Sequence, residues 1–202
     1  MRKLTILSAF VLMLSGPVFA GSEGDDADQA RKVVQSLADH AVVASKIEDK
    51  DARRRALIEA AAPAVDFRAI GAGVLGHAGV KIPTNRQNEV MEGVIAFVSR
   101  QVIGEIERVR PEEAKLGDAR AANGNEVRVN LKLAGLKDQI DADWVMKKQA
   151  DGWRATDVLV AGNSLVVHFG GQLARKARSE LDPLVDFLRG EQKRDSVASL
   201  PQ

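Results

Sequence analysis

The side chains able to do chemistry are few and scattered. Cysteine is absent, and the three histidines, His40, His77 and His168, stand far apart. None has a second histidine or a carboxylate at ligand spacing on a shared face, so no zinc or iron site is expected. Ser164 follows Gly162-Asn163 and lies in no G-x-S-x-G elbow, so it reads as a helix cap and not as a nucleophile. Gly71-x-Gly73-x-x-Gly76 matches the dinucleotide fingerprint as a string. It sits in a helical pattern with no βαβ unit around it, so the match is discounted. Three carboxylates remain. Paired carboxylates can do acid–base work, but Asp141 and Asp143 lie two apart on one strand, opposite its apolar face, and read as solvated. Asp157 is flanked by Val158, Leu159 and Val160 and reads as a carboxylate that hydrogen-bonds backbone at a corner. A small hydrolase would require Asp157 and His168 to meet inside a pocket. Arg53-Arg54-Arg55 could meet an anionic surface, and reads instead as the solvated face of a helix. No catalytic group, metal or cofactor is expected.

The elements that must position these residues change character halfway along the chain. Val33, Leu37, Ala41 and Ala44 give a helix over 29–48, with Asp25, Asp26 and Asp28 complementing its dipole. A second helix covers 51–62 and stops at Pro63. Asp66 caps a third, Phe67 to Leu75, with Phe67, Ile70 and Val74 on one face and Gly76 as its C′ residue. Thr84-x-x-Gln87 is a capping box that opens a long helix over 85–108. Its stripe of Val90, Val94, Phe97, Val98, Val102 and Ile106 is wide enough for one edge to face a cavity. After Pro111 the period falls from 3.6 to 2. A strand over 115–120 turns at Asn123-Gly124-Asn125. Val127, Val129, Leu131 and Leu133 alternate with polar residues on the next strand. Ile140, Ala142, Trp144 and Met146 form the inward set of a third. Asp151-Gly152 predicts a primed hairpin turn into a fourth strand, Trp153 to Val160. Gly162-Asn163-Ser164 breaks that strand and opens a helix to about Arg178. A last short helix starts with Asp182 as cap and Pro183 at its first position, and Glu191 to Gln202 reads as loose.

The chain begins with an export address. Arg2 and Lys3 precede an apolar run, Leu4 to Leu14, and Val18-Phe19-Ala20 fits the cleavage pattern before Gly21. The run is too short for a stable transmembrane helix. Residues 1–20 are therefore expected to be a cleaved signal peptide, and residues 21–202 one exported domain, periplasmic if the host is Gram-negative. Without cysteine, its core alone must hold it. Losing Arg2 and Lys3 leaves 27 basic against 28 acidic residues, so no basic stripe for nucleic acid is expected. Tyrosine is absent and aromatics are few, which argues against stacking platforms for bases or sugars.

Two groups of residues carry a family resemblance. The first is Asp66-Phe67-Arg68-Ala69-Ile70, then Val74-Leu75-Gly76, then Thr84-x-x-Gln87 opening a long helix. The second is Gly152-Trp153-Arg154-x-x-Asp157-Val158 followed by Gly162-x-Ser164-Leu165-Val166. In this order, behind a signal peptide, they resemble the MlaC family of periplasmic phospholipid-binding proteins, with its toluene-tolerance and hopanoid-linked relatives. The resemblance spans about Gln29 to Leu188. It implies an α+β fold: a twisted antiparallel four-stranded meander wrapped by about five to six helices, enclosing an apolar cavity. It also implies a lipid shuttle between an outer-membrane lipoprotein complex and an inner-membrane ABC transporter with a substrate-binding ring.

Solvation makes the same demand. Each acyl methylene exposed to water costs ~0.8 kcal/mol, so two sixteen-carbon chains would cost on the order of 25 kcal/mol. A carrier must enclose most of them. The expected lining is Phe67, Ile70, Val94, Phe97, Val98 and Val102 from the helices, Val127, Val129, Leu131, Leu133, Trp144, Val158 and Val160 from the sheet, and Leu165 and Phe169 beyond it. The sequence departs from the family at His77-Ala78-Gly79-Val80, at Val167-His168-Phe169-Gly170, and at Trp144 where a tyrosine is usual. An apolar cargo such as a hopanoid fits these changes at least as well as a phospholipid. An adaptor that docks a membrane complex and carries nothing is the alternative.

Overall fold

The change of period at Pro111 divides a helical half from a sheet half. The computed structural model describes residues 23–122, 125–177 and 181–198, and the side chains of all but 23 and 191–198 within them. The expected signal peptide and the Asn123-Gly124 part of the first turn lie outside the described residues. The helices are α1 (Glu23–Ser45), α2 (Lys50–Ala61), α3 (Phe67–Ala78) and α4 (Gln87–Val109), then α5 (Leu165–Ala177) and α6 (Leu181–Ala198) after the sheet. The strands β1 (Glu113–Ala121), β2 (Glu126–Ala134), β3 (Gln139–Gln149), β4 (Gly152–Val160) and β5 (Asn163–Ser164) form one antiparallel meander in sequence order. The α+β class is as expected, with one strand more than the four read from the sequence.

Alternation fixes which face of the sheet is covered. Val127, Val129, Leu131 and Leu133 on β2 are buried, and Val129 and Leu131 pair with Trp144 and Ala142 on β3. On β4 the period is interrupted. Val145 pairs with Asp157 but Met146 pairs with Ala155, so Thr156 is an extra residue. This bulge lets Trp153, Ala155 and Val158 share the buried face despite their odd spacing. Helix α1 lies on the sheet over β1 and β2, α3 packs along α5, and α4 along α6. Ala30, Val34, Val90, Val94, Phe97, Leu173 and Leu184 join the sheet residues in one core. A satellite of Ala41, Ala44, Leu57, Ile103 and Ile106 ties α2 to α1 and α4.

Several local expectations are corrected. Helix α3 runs past Gly76 to Ala78, because Leu75 and Ala78 still pack on the core, and Gly79 ends it with a left-handed φ of 64°. The Thr84–Gln87 box does not form. Residues Thr84–Arg86 make a 3₁₀ turn after Pro83, without a side-chain cap. The hairpin turn between β3 and β4 is centred on Ala150 and Asp151, since Gln149 pairs with Gly152, and Gly152 takes a positive φ as the first residue of β4. Arg53 is buried, not solvated. Its Nη1 donates to the carbonyls of Ile47 and Glu48 beyond the end of α1. Arg54 pairs with Glu107 of α4 at 3.4 Å. The last helix begins before Asp182 and continues to Ala198, so Pro183 sits inside its first turn, where no intrahelical partner for a backbone N–H is needed.

Candidate functional site

The stretch that closes the sheet builds one wall of a cavity. Val160 pairs with Asn163, leaving Ala161 and Gly162 as the two turn residues, with φ of 50° and 78°. Both are positive, as a type I′ turn requires. The region read as a strand break is therefore a tight hairpin, and β5 leads directly into α5. Asp157 locks the corner. Its Oδ1 accepts the backbone N–H groups of Val158 (2.8 Å) and Val166 (3.2 Å), and its Oδ2 accepts the Ser164 hydroxyl at 2.5 Å. Ser164 Oγ in turn accepts the Val167 N–H at 3.1 Å and caps α5. Asp157 is thus the structural anchor the sequence suggested. It does not meet His168, whose ring pairs with Gln172 at 2.8 Å.

Once α5 is aimed this way, Leu165, His168, Phe169 and Gln172 share one face of it. That face looks across at Gln101, Val102, Glu105, Ile106 and Arg108 of α4. Between the two helices the sheet contributes Leu131, Leu133, Ile140, Ala142, Trp144, Val158 and Val160. The enclosed volume is about 360 Å³. Phe97 and Phe169 meet edge to face at 5.4 Å between ring centroids, where α4 and α5 touch.

Eight of the residues singled out in the sequence line this cavity: Val102, Leu131, Leu133, Trp144, Val158, Val160, Leu165 and Phe169. The other seven do not. Ile70, Val94, Phe97, Val98, Val127 and Val129 are packed in the core, and Phe67 is half-buried against it. Ile106, Ile140 and Ala142 also line the cavity. Each continues a periodic set that was visible in the sequence, Ile106 on the helix stripe and the other two in phase with Trp144.

Glu105 and Arg108 form the rim, and no sequence signal marked them. Arg108 donates from Nε to Glu105 at 3.0 Å and from Nη1 to Asp138 at 2.6 Å. These carboxylates, the Glu105 hydrogen bond first, raise the guanidinium pKa still further. The Asp141 carboxylate turns to the other face of the sheet, where it accepts from Asn130 at 2.9 Å and pairs with Lys132 at 3.1 Å. The Asn130 bond, then Lys132, holds its carboxyl below the ordinary range, so it stays ionised. Glu105 and Arg108 are half-exposed or more, whereas Ala142, Trp144, Val158 and Phe169 are buried. An apolar interior with a charged, solvated rim is suited to an aliphatic chain whose polar end remains in water.

Other hollows are lined differently. The groove between α1 and α2 is larger, about 510 Å³, but it includes Ser36, His40, Glu59 and the strongly exposed Val43. Among the described residues, no group of histidine and carboxylate side chains can hold a metal ion. Among the same residues, no helix is long and apolar enough to cross a membrane.

Comparison with known proteins bears on this architecture. No curated protein matches the chain significantly. Among solved structures, a phospholipid-binding protein from Ralstonia solanacearum, in complex with a phospholipid, shares the fold with a TM-score of 0.66. It is 20% identical, and the alignment covers 82% of this chain and 98% of that one. The model of the MlaC protein family matches residues 28–189, from within α1 to within α6. The chain therefore belongs to the MlaC family.

Proposed function

We propose that this protein is a periplasmic lipid-binding shuttle without catalytic activity. It encloses acyl chain between α4, the sheet and α5, and carries phospholipid, or a related apolar lipid such as a hopanoid, between membranes. The observation that supports this reading best is the cavity itself, apolar within and charged only at its rim. The related fold of the Ralstonia protein, described as phospholipid-binding, supports it as well. The partners on this reading are an outer-membrane lipoprotein complex and an inner-membrane ABC transporter with its substrate-binding ring. The export pattern ending at Ala20 supports a periplasmic setting.

Volume sets the stoichiometry. A methylene group is about the size of a water molecule, ~30 Å³, so the cavity holds on the order of a dozen of them. That is most of one chain.

Native mass spectrometry of protein isolated from a bacterial periplasm tests the reading. A co-purified lipid, lost on organic extraction, is the expected result. A uniformly empty protein would favour the adaptor that docks membrane complexes and carries nothing.

A further inference from the structure

The rim of the cavity carries a charge pattern that bears on which headgroup it admits. Two carboxylates stand at or beside it: Glu105 in the lining, and Asp138 bound to Arg108. One cation faces them, and it is already engaged. Arg108 uses Nε and Nη2 on Glu105 and Nη1 on Asp138. The Asp141 carboxylate turns to the other face of the sheet, where it pairs with Lys132. The remaining polar lining, Gln101, Gln139, His168 and Gln172, holds no carboxylate, lysine or arginine. A phosphate entering the mouth must therefore compete with a carboxylate for Arg108, and no uncommitted cation of the lining offsets its charge.

From this arrangement we infer that the cavity selects lipids whose headgroup carries no net negative charge. This rests on the lipid-carrier reading and adds headgroup selection to it. A phosphate accompanied by its own ammonium brings its own counter-charge, and an uncharged polar lipid needs none. An anionic phospholipid brings one negative charge to a rim already in carboxylate excess. At contact distance in water, one such charge is worth about a fivefold change in affinity, less where salt screens it.

The test keeps the acyl chains constant. Purified, delipidated protein is incubated with vesicles containing equal amounts of dioleoyl phosphatidylcholine and dioleoyl phosphatidylglycerol, re-isolated, and its lipid quantified by mass spectrometry. The expected result is an excess of the zwitterionic lipid of at least about threefold. Dioleoylglycerol offered in place of phosphatidylcholine should show the same excess over phosphatidylglycerol. In the Glu105→Gln variant the ratio should fall towards one. Equal uptake by the unaltered protein, or preference for phosphatidylglycerol, overturns the inference and leaves the carrier reading standing. A ratio that Glu105→Gln does not change also overturns it. Uptake of no lipid from any vesicle removes the carrier reading and the inference together.

Discussion

Asp157 shows how a residue that looks catalytic can be a fastener. One carboxylate satisfies two backbone N–H groups and one hydroxyl at the turn from β4 into α5. Replacing it with alanine leaves those donors without their partner at a part-buried corner. Asp157→Ala should therefore cost about 2–3 kcal/mol, read as a lower urea midpoint at unchanged slope. Four residues on, Ala161 stands in the left-handed region at φ 50° without the tolerance of glycine or asparagine. Ala161→Asn keeps the type I′ turn and relieves that strain. It should stabilise the protein by about 1 kcal/mol, seen as a rise of about 2–4 °C in Tm. Of this corner, the sequence revealed Asp157, Gly162 and Ser164 by residue type. Ala161 was silent, because alanine carries no signal for a positive φ.

Between elements, the cavity is framed by helix pairs held in different ways. Helix α5 is set close against α3 at Gly170, where an added Cβ would lie 2.5 Å from the Cβ of His77 and 3.0 Å from the carbonyl oxygen of Val74. Gly170→Ala should push α5 away and cost about 1–3 kcal/mol in chemical denaturation. Helix α6 is held to the start of α4 partly by ion pairs, Glu89 with Arg189 at 2.7 Å and Arg86 with Asp182 at 3.1 Å. The hydrogen bond from Arg86, with support from Arg189, lowers the Glu89 carboxyl pKa below its ordinary value. A depressed carboxylate pKa stabilises the fold above the unfolded value, about 4.3, and the contribution disappears as pH falls through the lower folded value. Amide exchange in α6, corrected for intrinsic rate, should therefore accelerate below about pH 4 before exchange in β2 and β3 does. These elements were legible to different degrees. β2 showed its buried face because alternation over Val127 to Leu133 is a local property. The bulge at Thr156 is defined only against Val145 and Met146 of the partner strand, and the fifth strand is two residues beyond a turn that Ala161 does not announce. Arg53 reads as solvated because its partners are backbone carbonyls, which no residue type announces, although they lie only five and six residues back. Only the fold brings the carbonyls of Ile47 and Glu48 to its guanidinium.

For the molecule as a whole, the sequence foretold a cavity better than its limits. The sheet face and the helix stripe both continue past the cavity into solid core. Periodicity marks a residue as inward-facing but does not distinguish Leu133, which lines space, from Val129, which touches only neighbours. That distinction arises where α5 diverges from α4, and it depends on the corner at Asp157. The claim that this space holds acyl chain has a direct test: photo-crosslinking with a phospholipid bearing a diazirine at the end of one chain, mapped by peptide mass spectrometry. The account predicts labels on Val102, Leu133, Ala142, Trp144 and Phe169, lost when Ala142→Phe fills the cavity in a variant that keeps the parent circular dichroism spectrum. Labelling confined to the α1–α2 groove, or labelling that Ala142→Phe leaves unchanged, would contradict it.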